Sequence, residues 1–311
     1  MKKIFFVIAI TLLHYSVLSQ KYNLGFGVKA GIANYLGDIG GGDLARPFVF
    51  NLELKDTRWS TGAFVRYRFH PLFAYQGSFT YARVQGKDSE SDNRARQGRN
   101  LSFKNDILCL DHKLEFYPSQ LSMSDVGRRG RYRTDFKTFI FAGIGTIFHN
   151  PKALYNGDWV KLRPLMTEGE KYSKFSFSIP VGAGFYFTYR KQHRFGFELS
   201  WNYTFTDYLD DVSGVYVDPS AMSSDPLAPI LANRNPELNY SENDYPASAN
   251  FGPKISGQTN LNKRGDASAN DNFILMTLSY SYVIKSNNGF NRSYSWLYRS
   301  KSRFGKTKAR F

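Results

Sequence analysis

The chain has 311 residues, among them 27 Phe and 21 Tyr but one Cys, and a formal net charge of +15. The lone Cys109 excludes an intramolecular disulfide framework, so stability must come from packing or from closing a sheet. A mean hydropathy of -0.43 alongside 17% aromatic residues spreads the rings among polar neighbours, as alternating strands require.

Lys2 and Lys3 precede an apolar run from Ile4 to Leu13, and Val17 with Ser19 suggests cleavage before Gln20, so residues 1–19 are expected to be a secretory signal peptide. No later stretch approaches the roughly eighteen consecutive apolar residues of a spanning helix. Any membrane crossing by residues 20–285 would therefore use strands.

Period-two alternation defines eight of them. The first sets Tyr22, Leu24, Phe26, Val28, Ala30 and Ile32 against Gly25, Gly27, Lys29 and Gly31. Thr61 to Phe69 and Tyr75 to Tyr81 read as a hairpin about His70-Pro71, with Phe64, Arg66 and Arg68 on the second stripe. A fourth opposes Leu108, Leu110, Leu114 and Phe116 to Cys109, Asp111, Lys113 and Glu115; the fifth, Phe139 to Phe148, is apolar on both sides and its facing is open. Phe175 to Tyr189 is the longest clean alternation, Phe195 to Phe205 carries Glu198 on its polar stripe, and Ile274 to Ile284 is the eighth. Pro180 interrupts the sixth and costs a ladder donor unless a bulge absorbs it.

The apolar stripes carry no formal charge, whereas Lys29, Arg66, Arg68, Asp111, Lys113, Glu115 and Glu198 all fall on the opposite, glycine-rich stripe. That is the expectation for an all-β, eight-stranded antiparallel transmembrane barrel of the outer-membrane type, lipid outside and a paired ionic core inside. Eight strands leave an interior that side chains can fill. With both termini periplasmic, odd-to-even connections should be long, and 36 to 58, 86 to 102, 149 to 172 and 206 to 271 are; of the opposite connections only 118 to 135 is longer than a turn.

The longest connection opens with "FTDYLDDVSGVYVD" and holds ten acids against Arg234, Lys254, Lys263 and Arg264, which makes the outer side locally acidic. Its spacing fits no EF-hand, and the favoured reading is a loop fixed to the rim by its own side-chain to backbone hydrogen bonds. No catalytic, cofactor or metal residue is assigned. Asp111 and His112 are adjacent and so face opposite ways; His149 is a lone rim histidine, and no G-x-S-x-G elbow occurs.

Four stretches, "YLGDIGG" (Tyr35, Gly37, Asp38), "GIGTIFHNPKA" (Asn150, Pro151), "LRPLMTEGE" (Arg163, Pro164, Glu168) and "TDYLDDVSGVYVD" (Thr206, Asp207, Tyr208, Asp210, Asp211), together resemble the PorG-like outer-membrane β-barrel family of Bacteroidetes, associated with the type IX secretion system. Met166 stands where that pattern leads one to expect Gly. The resemblance implies an eight-stranded barrel that contacts a periplasmic ring of PorK- and PorN-like proteins and anchors secretion and gliding machinery to outer-membrane lipid.

Residues 286–311 form a basic tail with Arg292, Arg299, Lys301 and Arg303, and the inward connection adds Arg128, Arg129, Arg131 and Arg133. A basic periplasmic face suits an acidic protein ring, peptidoglycan or anionic headgroups; export argues against nucleic acid. The alternatives to an anchor are a general structural barrel or small-solute channel and, less favoured, a barrel enzyme.

Overall fold

A computed structural model of the chain describes residues 23–40, 55–70, 72–91, 93–118, 135–190, 192–238 and 263–284. The signal peptide, the arginines at 128, 129, 131 and 133, and the tail with Arg292, Arg299, Lys301 and Arg303 lie outside the described residues.

Wherever Phe, Tyr and aliphatic side chains alternate with Gly, hydroxyls and ions, the backbone is extended. The strands are β1 Asn23–Leu36, β2 Arg58–Arg68, β3 Phe73–Lys87, β4 Ser102–Phe116, β5 Asp135–Phe148, β6 Lys152–Tyr155, β7 Asp158–Lys161, β8 Phe175–Tyr189, β9 His193–Thr204 and β10 Asn272–Ile284. Their order is β3-β2-β1-β10-β9-β8-β5-β4, and pairing of β3 with β4 closes the sheet into an eight-stranded antiparallel barrel. The short β6–β7 hairpin, which alternation had not revealed, continues the sheet beside β4 through Lys104 and Lys152. Long connections gather at one end of the barrel, here the loop end; the tight turns lie at the other, the turn end.

Outward residues are the expected ones: Val28, Leu114, Ile144, Phe177 and Leu278 are all exposed, as lipid-facing groups must be outside a bilayer. The open facing of β5 is settled by Phe139 and Phe141, which are buried inside the barrel, while Ile140 and Ile144 point out. Room for the two rings comes from β8: a Cβ on Gly182 would lie 2.6 Å from the Phe141 ring, and one on Gly184 the same distance from Phe139.

Two expectations change. β5 and β8 are in the same register at Ala142–Val181 and at Gly145–Ser178, but their pairing lapses between, opposite Pro180. The missing donor is accommodated by a local gap in the ladder and not by a bulge. In addition, β3 and β4 run further toward the loop end than their apolar alternation, and there the outward stripe carries Arg83, Lys104 and Asp106. The rule that strand charges face only inward therefore holds for the apolar span and fails above it. Strand pairing can continue beyond the lipid, where charge on the outer face costs little.

The lumen is filled in three layers. Near the loop end Tyr35, Val84, Phe103, Ile107, Leu209 and Phe273 belong to one apolar cluster; near the turn end Tyr117, Phe139, Phe141 and Tyr186 form an aromatic one. An ionic band lies between.

Candidate functional site

Two polar assemblies distinguish this barrel, the band inside it and a cap of knitted loops over it. The band is built by alternation, which turns every second residue of each strand inward. Arg66 reaches Glu115 at 2.9 Å and Lys113 reaches Glu198 at 2.6 Å, all four essentially buried. Tyr117 also donates to Glu115. With its nitrogen turned toward the acids, the Gln76 amide lies 3.3 Å from both Glu115 and Glu198 and joins the pairs. Asp111 accepts from Ser78, whose hydroxyl also accepts from Lys29. The Arg66 guanidinium sits 5.1 Å from the ring centres of Phe64 and Phe139, and Arg68 lies 4.7 Å above Tyr117. Lys29, Arg66, Arg68, Asp111, Lys113, Glu115 and Glu198 are all buried inside the barrel, so the band occupies the lumen at this level.

The cap unites residues that alternation could not connect. Tyr35 donates its hydroxyl to Asp210 at 2.7 Å and lies 2.5 Å from Asp271, while the Asp38 amide donates to the same hydroxyl. Gly37 is required beside them, since a Cβ there would lie 2.0 Å from both Tyr35 Oη and Asp271 Oδ1. Glu168 accepts from Arg264 at 2.8 Å and from the amides of Ser213 and Gly214. Asp211, held at φ 75, accepts from Thr167 and Tyr172. Arg264 also donates to the carbonyls of Asp211 and Ala232, and Arg99 forks onto Asp88 while donating to the carbonyls of Arg264 and Asp38. Arg99 and Arg264 are therefore the two pins of the cap.

The other motif residues frame it. Asn150 donates its amide to Asn105, the Pro151 carbonyl accepts from Leu162, and Arg163 and Pro164 form one turn of 3-10 helix. Thr206 caps the amide of Tyr208, whose ring stacks 4.6 Å from Tyr172; Tyr172 in turn lies parallel to His149. Burial holds His149 down at about 4, so it serves as a neutral ring in that stack.

The stretch 205–218 is thus anchored largely by other loops, and only locally by its own turns at Thr206, Asp210 and Asp218. The acids of this connection divide: Asp207, Asp210, Asp211 and Asp271 are buried, Asp218, Asp225 and Glu237 are exposed and Asp266 partly so, and Glu242 and Asp244 lie outside the described residues. Burial pushes the Asp207 carboxyl up to about 7 and Asp211 up to about 6, and it raises Asp210 and Asp271 well above the usual carboxylate range. Among the described residues no group of three or more His, Cys, Asp or Glu side chains is arranged to hold a metal ion. Asp88, Arg99 and Tyr172 fall outside the motifs, and their one sequence signal is a place in long connections near them; Thr167 lies within "LRPLMTEGE".

A family model described as "Domain of unknown function (DUF6089)" matches residues 2–221. No curated protein matches the chain in sequence. Among solved structures, Ail, the attachment invasion locus protein of Yersinia pestis, in complex with the heparin analogue sucrose octasulfate, is 10% identical, with a TM-score of 0.35 and coverage of 85% of this chain and 100% of that one. The N-terminal β-barrel domain of Pseudomonas aeruginosa OprF is 7% identical over 84% of this chain and 97% of its own, TM-score 0.31. Neisserial surface protein A is 8% identical over 84% and 95%, TM-score 0.32.

Proposed function

The chain belongs to the DUF6089 family, and from that footing we propose that it is a non-enzymatic outer-membrane barrel of a type IX secretion and gliding machinery, anchoring a periplasmic ring of PorK- and PorN-like proteins. The observation that carries this reading is the filled lumen. Ion pairs at 2.6 and 2.9 Å, flanked by rings on one side and an apolar cluster on the other, leave the barrel its surfaces to work with. A sealed post held in lipid is suited to holding something else in place.

The turn end faces the periplasm in this reading, with both termini there. Its chemistry is basic: residues 285–311 hold Lys285, Arg292, Arg299, Lys301, Arg303, Lys306, Lys308 and Arg310 without one acid, and Arg128, Arg129, Arg131 and Arg133 cluster in the inward connection. Such a face favours an acidic protein partner by charge complementarity, with peptidoglycan as the competing ligand. The motif residues that carry the resemblance support the same assignment, since Tyr35, Glu168, Asp210 and Asp211 belong to one hydrogen-bonded network and not to scattered surface positions.

Affinity isolation from native membranes tests it. Deleting 286–311 and replacing the four inward arginines by Gln should abolish co-isolation of ring proteins while the barrel keeps its heat-dependent gel shift. Unchanged recovery of the ring overturns the docking role. In planar bilayers the intact chain should give no conductance steps, and regular steps would replace the anchor by a channel.

A further inference from the structure

Above the apolar span, the outward face of β3, β4 and the β6–β7 hairpin gathers three cations around one carboxylate. Arg83 reaches Asp106 at 2.7 Å and Lys152 reaches it at 3.4 Å, while Lys104 is the register partner of Lys152. Aromatic groups border them: the Lys104 ammonium lies 3.4 Å from the Trp159 ring centre, and Tyr81 stacks on Trp59 and donates to Asp106. One acid cannot balance three cations, and Arg83, Lys152 and Asp106 side chains stay 25 to 31% exposed, so donors remain for an anion. A guanidinium beside two ammonium groups is phosphate-binding chemistry. Trp and Tyr at this height are what the headgroup level of a bilayer selects.

Directly below lies a groove of about 360 Å³ whose lining includes Phe79, Leu108, Leu110, Phe148 and Phe175. It is continuous with the cations, because Leu108 is the next outward residue after Asp106 on β4 and pairs with Tyr81 on one side and Phe148 on the other. A free anion would use the cations and leave the groove empty; a neutral lipid would do the reverse. An amphiphile with phosphate on its head fills both. Trp159 and Trp59 are half exposed and present ring faces on which a sugar can stack.

We propose that this face binds an acylated, phosphorylated glycolipid, phosphate on Arg83, Lys104 and Lys152, sugar against Trp159, and one acyl chain in the Phe79–Leu108–Phe175 groove. The choice of glycolipid rests on the loop end facing outward, as in the proposed function, but is independent of any periplasmic partner.

The test uses the full chain purified in detergent, without the ring, so that loss of docking and loss of lipid binding are separate results. Native mass spectrometry would follow titration with bisphosphorylated lipid A, its dephosphorylated form, phosphatidylglycerol and glucosamine 6-phosphate. The expected order is bisphosphorylated lipid A at least tenfold tighter than its dephosphorylated form or phosphatidylglycerol, with the soluble sugar phosphate not retained. The double variant Lys104→Gln/Lys152→Gln should lose about tenfold for lipid A, and Leu108→Trp, which fills the groove, should weaken it while sparing the charges. Equal binding of phosphorylated and dephosphorylated forms by the native chain overturns the proposal whether or not any variant folds. Retention of the soluble phosphate as tightly as lipid A overturns the acyl-chain assignment, and equal retention of phosphatidylglycerol overturns the glycolipid.

Discussion

The ionic band in the lumen and the cap at the loop end use the same side chains, carboxylates, guanidinium groups and tyrosine hydroxyls, yet they are assembled by different rules. In the band, strand alternation has already aimed each group inward, and partners meet within the lumen: Arg66 with Glu115 over the intervening β3, Lys113 with Glu198 from more distant strands. In the cap only Tyr35, an inward residue near the end of β1, is aimed by a strand. Tyr35 finds Asp271 and Arg264 finds Glu168 only because whole connections fold over one another. Periodicity therefore encodes the first assembly, and individual long-range contacts encode the second.

The largest test of that contrast is to break the band. Glu198→Ala should cost about 3–5 kcal/mol, because Lys113 would be left charged in an interior that cannot solvate it. The double variant Lys113→Met/Glu198→Leu should recover most of the loss, since a matched apolar pair needs no counter-charge. Urea midpoints of the gel-shift transition would measure both. A double variant no more stable than Glu198→Ala would show that the pair does more than neutralise itself.

Next is the cap pin. Arg264→Ala takes the counter-charge from Glu168, which keeps the Ser213 and Gly214 amides, and strands the carbonyls of Asp211 and Ala232, at about 1–3 kcal/mol per buried group left without a partner. The loss should stay at the loop end: amides of Ser213 and Gly214 should exchange faster and the loops become sensitive to protease, while the strands keep their protection. Loss of the barrel itself would mean that cap and barrel form one cooperative unit.

This contrast also explains what could be read in advance. Eight strands, the facing of all but β5, which is apolar on both sides and has no such signal, the loop parity and the inward positions of Arg66, Arg68, Asp111, Lys113, Glu115 and Glu198 follow from period two. The β6–β7 hairpin did not, because Lys152–Tyr155 and Asp158–Lys161 are too short for alternation to register. The upward extension of β3 and β4 was hidden for another reason: above Tyr81 and Leu108 the outer stripe turns polar, so the signal that marks lipid ends before the strand does. Within the cap the motif residues were visible, but Arg99 and Asp88 were not, being ordinary loop charges until they meet.

A smaller effect follows from burial of the cap acids. Asp207 titrates at about 7 and Asp211 at about 6 in the fold, with Asp210 and Asp271 also raised, against about 3.9 for a free Asp. A raised carboxyl binds its proton more tightly when folded, so the cap's stability is fullest at low pH and falls as pH rises through the folded values. Between pH 5 and 8, exchange at the cap amides should quicken several-fold beyond its intrinsic pH dependence. Asp207→Asn should remove the part of that change near pH 7. A cap that instead tightens toward pH 8 would contradict the burial of these groups.

The smallest expected change is at Met166, which occupies a left-handed conformation with φ 50 and ψ 56 where the family resemblance leads one to expect Gly. A side chain there costs about 1–2 kcal/mol of backbone strain. Glycine would remove the strain but give back about 0.5–1 kcal/mol in the entropy of the unfolded chain. The half-buried Met side chain also contributes some packing that glycine lacks. The difference leaves Met166→Gly stabilising by at most about 1 kcal/mol, confined to the turn that presents Glu168 to Arg264. Exchange rates at Ser213 and Gly214, whose amides Glu168 accepts, would report it without interference from the strands. If those amides exchange faster in the variant, the Met side chain's contacts outweigh its backbone strain, and the glycine preference has some other origin than the conformation of this turn.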